Sequence, residues 1–155
     1  MHNRFKFALL LPLFLFSVNV HSQKMSNKKL GKILTEVTDS ISGTDGYWQA
    51  SYKEMILIVI TDENHNRMRM ITPIAYVKDL DEENITKALE ANFHSALDVK
   101  YAISDSLMWT VFIHPLKELS EDQIKDGISQ LFYSAVTFGG SYSSTDLVFP
   151  AKKED

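Results

Sequence analysis

The chain has no cysteine among its 155 residues. This excludes a disulfide-stapled extracellular module, and it removes the attachment point a lipid-anchored exported protein needs. Basic residues are in deficit, with 16 Lys and Arg against 20 Asp and Glu, so the clustered cations that drive phosphate binding are missing and nucleic acid is not an expected partner. The six glycines form neither a G-x-G-x-x-G fingerprint nor a phosphate loop. No G-x-S-x-G elbow surrounds Ser141, Ser143 or Ser144. Past residue 22 the histidines are His65, His94 and His114, each without a second histidine or cysteine at ligand spacing, so no metal is expected. Asp62, Asn64 and Asn66 open like a calcium loop, but Arg67 stands where the sharp turn needs glycine and Pro73 where the closing glutamate belongs. No nucleophile, acid–base pair or metal set can be assembled, and the expectation is a non-enzymatic protein without a cofactor.

Long apolar runs are missing too. The uncharged apolar run at residues 7–18 has 12 residues and contains Pro12, whereas a bilayer-spanning helix needs about 20. Arg4 and Lys6 precede it, and Val20 and Ser22 follow at the spacing a signal peptidase requires. Residues 1–22 therefore read as a signal peptide cleaved near Ser22 and Gln23, giving an exported protein, periplasmic or secreted, with no stable membrane insertion. Its removal takes away Arg4 and Lys6 and leaves 133 residues with net charge −6 in place of −4. That length supports one domain able to bury roughly two-thirds of its unfolded surface. The domain is expected over residues 23–140, followed by a weakly ordered tail over 141–155.

What is present is periodic. Leu30, Ile33, Leu34, Val37 and Ile41 recur on one helical face, with Ser26 or Asn27 as cap and Gly43 as the stop. Residues 47–52 alternate as a strand, and the β-branched run 55–61 is apolar on both sides, as a central strand covered on both faces would be. Residues 67–77 form another strand, with Met68, Met70, Ile74 and Tyr76 on one face and Arg67, Arg69, Ile71 and Ala75 on the other. Pro73 cannot donate to a neighbour, which puts an edge or a bulge there. Asp81 caps a second helix whose stripe runs Ile85, Ala88, Leu89, Asn92, Phe93 and Ala96. Strands over 99–103 and 107–114 follow, and Ser120 with Gln123 forms a capping box for a third helix. The fold class is α+β, an antiparallel sheet of about five strands packed with three helices in the order α-β-β-β-α-β-β-α.

Three features stand out as candidate binding determinants. Asn92 is a polar exception in an apolar stripe, and a buried amide must find partners, most simply backbone at a strand end. Trp48 and Trp109 lie on strands, with the core as the default place for each. Arg67 and Arg69 share a strand face with Ile71, and charge beside apolar area suits a partner surface. Both sides of the sheet are apolar, and three helices cannot readily cover both, so one face is expected to be a partner site or a dimer interface.

Asn-Arg-Met-Arg-Met at 66–70, Ala-Asn-Phe at 91–93 and Trp-Thr-Val-Phe-Ile-His-Pro-Leu at 109–116 resemble the YbjN family, over roughly residues 27–140. That family shares the α/β architecture of type III secretion chaperones. The resemblance implies a small α+β domain that binds protein or peptide, often as a homodimer, with Asn92 where such domains keep an asparagine. It supplies no catalytic residues. An export signal departs from secretion chaperones, which work in the cytoplasm. The expected function is therefore an exported, chaperone-like binding domain for a protein, a peptide or a second copy of itself. The alternative is a periplasmic ligand or envelope-stress sensor, holding a small anionic or lipidic molecule between Arg67, Arg69 and the aromatic residues.

Overall fold

The computed structural model describes residues 24–145, so the signal segment expected at 1–22 and the apolar stretch 147–149 lie outside the described residues. Among those described, the chain runs α1 (Asn27–Val37), β1 (Ser40–Thr44), β2 (Tyr47–Tyr52), β3 (Met55–Asp62), β4 (Arg67–Tyr76), a 3-10 turn at Val77–Asp79, α2 (Glu82–His94), β5 (Lys100–Ser104), β6 (Leu107–His114) and α3 (Glu121–Val136). The six strands form one antiparallel sheet in the order β1-β2-β3-β4-β6-β5. The α+β class stands as expected, with six strands where about five were expected.

The additional strand is β1, and it corrects the reading of the first helix. α1 stops at Val37 because Thr38 turns to extended backbone (φ −110°, ψ 154°) while its N–H and hydroxyl both donate to the Leu34 carbonyl. Ile41 then sits opposite Ala50 as a strand residue and still packs on the core. Val37 and Ile41 are four apart, a spacing a helix face and a strand after a short break both satisfy. Gly43 serves the hairpin and not the helix end. Its φ is +118°, and a Cβ there would approach Trp48 Cα to 2.9 Å.

The helix termini follow the sequence. Ser26, Asp81 and Ser120 are the N-caps, accepting from Lys29, Asn84 and Gln123 backbone N–H groups, and Ser120 with Gln123 completes a capping box.

All three helices lie on one side of the sheet. From α1 come Leu30, Ile33 and Leu34, and from α3 come Ile124, Ile128 and Leu131. These bury Trp48, Ala50, Leu57, Val59, Met68, Met70 and Phe112. α2 buries Tyr101 and Met108 in a second cluster with Ala88, Ala91 and Tyr142. Gly127 lets α3 settle onto the sheet, since a Cβ there would meet Met70 Cε at 2.9 Å and the Phe112 ring at 3.3 Å. β3 is therefore not covered on both faces: Leu57 and Val59 are buried while Ile56 and Ile60 are exposed.

Pro73 marks a bulge, not an edge. β4 lies between β3 and β6, and its register against β6 shifts between Pro73 and Ala75. One inserted residue inverts the alternation beyond it. Ala75 consequently stands opposite the buried Met108, and Tyr76, expected beside Met68 and Met70, emerges on the other face and is exposed. The chain also packs past residue 140, because Tyr142 and Ser144 are buried. Ser95 Oγ donates to the Tyr142 carbonyl, and Ser144 Oγ accepts from Leu97 N–H.

Candidate functional site

The face opposite the helices follows from the register alone. Ile58, Ile71 and Val111 are cross-strand neighbours in one row, Ile60, Arg69 and Ile113 in the next, and Pro73, Trp109 and Ala102 in a third. Their side chains share a face because strand residues alternate. No helix of the described residues packs there, and Ile113 keeps 57% of its surface exposed. Apolar side chains on an uncovered sheet face are the strongest exposed hydrophobic feature of the sheet.

A concavity of about 310 Å³ runs along this face, floored by Ile71, Val111 and Ile113, with Arg69 and Trp109 beside them and Asp105 at the β5–β6 turn. The Trp109 indole N–H donates to the Ser104 carbonyl at 3.1 Å, which fixes the ring over the hairpin. Asp105 and Ser106 both have positive φ, 50° and 63°, forming the tight turn between these strands. Arg69 makes no hydrogen bond or ion pair with the described residues. Arg67, two residues along the same face, donates to the Asn66 carbonyl at 3.0 Å and stands opposite Asp62.

Of the residues singled out in the sequence, the structure brings Arg69 and Trp109 together in one concavity, with Arg67 beyond its Arg69 end. Trp48 does not join them. It is 5% exposed on the helix side, with Gly31 of α1 against its indole, because its register partner is the buried Val59. Asn92 is also elsewhere. Its Nδ2 donates to the Tyr101 carbonyl at 3.0 Å and its Oδ1 accepts from Tyr101 N–H at 2.7 Å, so its amide ties α2 to β5. Lys100 reinforces that joint by donating from Nζ to the carbonyls of Asn92, Ala96 and Leu97, and partial burial lowers its pKa.

The stripe expected on α2 is divided. Ala88 and Ala91 face the core, whereas Leu89 is 63% and Phe93 86% exposed. Leu89 and Ile103 of the edge strand β5 frame a hollow of about 160 Å³ floored by Ala88, Tyr101 and Met108. Sequence reasoning placed Leu89 and Phe93 inward because a helix face is read without knowing which of its flanks the sheet edge reaches.

The polar candidates are occupied locally. Asp62 accepts from His65 N–H at 2.9 Å and faces the His65 ring at 2.7 Å, and the backbone bond leads in holding its carboxyl below the ordinary value. Asn66 spends its side chain on Lys117 N–H and the Glu118 carboxylate. His114 Nδ1 contacts the Pro115 carbonyl, and His94 stands edge-on to Phe93. Among the described residues no three His, Cys, Asp or Glu side chains gather in metal-binding proximity.

Solved structures share this architecture. The HopA1–SchA chaperone–effector complex has a chain matching with TM-score 0.55 at 14% identity, covering 70% of this chain and 91% of that one. The structure of the Yersinia pestis type III secretion chaperone SycH in complex with a stable fragment of YscM2 matches with TM-score 0.56 at 15% identity, covering 72% and 98%. The ExsC–ExsE complex matches with TM-score 0.54 at 12% identity, covering 70% and 90%. At such identities the likeness is one of fold. No known family profile matches the chain, and neither does any curated protein sequence.

Proposed function

We propose that this protein is a non-enzymatic, chaperone-like domain that binds a segment of another protein on the uncovered face of its sheet. The observation that carries this reading is the one-sided packing: three helices on one face and a row of isoleucines with Arg69 and Trp109 on the other. The fold it shares with chaperones solved in complex with protein fragments or effectors supports it. Export is part of the proposal, supported by residues 1–22 as a cleavable signal, and so is self-association, supported by the exposed Leu89, Phe93 and Ile103 along α2 and the edge strand β5. An exported chaperone-like domain serves a client outside the cytoplasm, which separates it from loading a secretion machine on the cytoplasmic side.

The test is photo-crosslinking in cells producing the full chain, with the crosslinker placed singly at Ile58, Ile71 or Ile113 and, as controls, at Lys32 and Lys125 on exposed helix surface. Discrete protein adducts from the three sheet positions and none from the controls are expected. Adducts equally distributed over both sets, or absent from the sheet positions, would overturn the reading.

A further inference from the structure

The charges bordering the open face are not scattered. The chain is acidic overall, yet Arg69 projects from the middle of an apolar row with no carboxylate engaged. At the other end of the concavity the charge is reversed, for among the described residues Asp105 in the β5–β6 turn has only the Ser104 hydroxyl donating to it, at 3.0 Å. Between them Ile113, Val111 and Trp109 present every second residue of β6, and Ala102 leaves room beside Trp109. Arg69 is level with Ile113, and Leu107, six residues back along β6, directly follows the turn that carries Asp105. At about 3.3 Å per residue that stretch of β6 spans roughly 20 Å of backbone.

From this we infer that the concavity reads an extended protein segment with an acidic residue for Arg69 and a basic residue for Asp105, about six positions apart, and apolar side chains on the same face between them. The inference rests on the open face being the protein-binding surface and specifies what that surface selects. An unengaged guanidinium on an apolar floor supplies specificity of this kind: a carboxylate satisfies it, a neutral amide does so weakly, and a cation is rejected. The same arrangement disfavours a fatty carboxylate, whose single charge leaves Asp105 unanswered.

Calorimetric titration of the purified full chain with end-capped peptides tests it. The probes are Glu-Thr-Leu-Thr-Leu-Thr-Lys, its neutral counterpart with Gln at both ends, its counterpart with Lys at both ends, and decanoate. Binding of the Glu and Lys peptide about tenfold tighter than the neutral one is expected, with the doubly basic peptide weakest. The Arg69→Gln variant should reduce the preferred peptide to the neutral level. Equal affinity for the three peptides, or a preference that survives Arg69→Gln, overturns the charge recognition while crosslinks from Ile113 would leave the binding face intact. Decanoate binding more tightly than every peptide assigns the concavity to a small anionic amphiphile and also overturns it. If no peptide binds at millimolar concentration the inference falls, and if Ile113 then gives no crosslink in cells the binding face falls with it.

Discussion

Asn92 and Tyr101 hold one another by a reciprocal pair of hydrogen bonds, amide to carbonyl at 3.0 Å and N–H to amide oxygen at 2.7 Å. The side chain of Asn92 thereby imitates a strand neighbour for the edge strand β5, which is how a helix is fastened beside a sheet edge without another strand. Asn92→Leu leaves the Tyr101 N–H and carbonyl without their partners and should cost about 1–3 kcal/mol. Lys87→Gln, on the exposed side of α2 where Lys87 pairs with Glu83, should stay within about 0.5 kcal/mol. Urea denaturation of both variants gives the comparison, and an Asn92→Leu protein as stable as the wild type removes the tie.

Tyr101 makes the same joint sensitive to alkali. Its hydroxyl donates to the Ser134 carbonyl at 2.8 Å, and burial pushes the phenol up to about 12. A pKa raised from 10 to about 12 means that the neutral phenol supports the fold fully below pH 10, and that this support disappears as pH rises through 12. The stability of the wild type should therefore fall more steeply between pH 10 and pH 12 than that of Tyr101→Phe, which has no phenol to ionise. Parallel slopes in guanidinium titrations across this range would contradict the assignment.

Leu89 and Phe93 are exposed on α2, and Leu89 shares a hollow with Ile103 of β5. If this patch joins two copies, the Leu89→Glu and Phe93→Glu double variant should sediment as a monomer where the wild type sediments as a dimer. Its urea midpoint at low protein concentration should remain within the equivalent of about 0.5 kcal/mol, because neither side chain contributes to the core. A wild type that is monomeric at high concentration assigns the patch to something other than self-association.

The legible parts of this fold were those written in local chemistry. Ser26, Asp81, Ser120 and Gln123 announce helix starts by their side-chain oxygens, and the alternation of 47–52 and 107–114 gives β2 and β6 to the residue. What was not legible depends on tertiary placement. Ile41 has the spacing of α1, and only the extended backbone at Thr38 assigns it to β1. Tyr76 changes face because of a bulge whose single extra residue leaves no periodic mark. The arginine face was readable from period-two alternation, whereas the choice of which tryptophan joins it required the register, since Trp48 and Trp109 look alike as strand aromatics.

Export makes a claim about mass. With residues 1–22 removed, the protein recovered from the periplasm or the medium should begin at Gln23, which intact mass spectrometry and terminal sequencing determine directly. Replacing Ser22 by Arg should block cleavage and leave a longer species. A membrane-associated form that retains Met1 in the unaltered chain would refute processing.

The two tryptophans allow the two faces of the sheet to be tested against one another. Trp48 is packed between α1 and β2 on the covered side, against Gly31, so Trp48→Ala opens a large cavity in the main core and should cost about 3–5 kcal/mol. Trp109 lies on the open side, half-buried, with one hydrogen bond to the Ser104 carbonyl, and Trp109→Ala should cost nearer to about 1 kcal/mol. The order reverses for binding. Trp109→Ala at a temperature where the protein is fully folded should abolish the crosslinks formed from Ile113, because it removes an aromatic wall of the concavity. A stabilised background carrying Trp48→Ala should retain them. Loss of crosslinks from both variants in proportion to their loss of stability would mean that binding follows folding alone, and that the open face has no chemistry of its own.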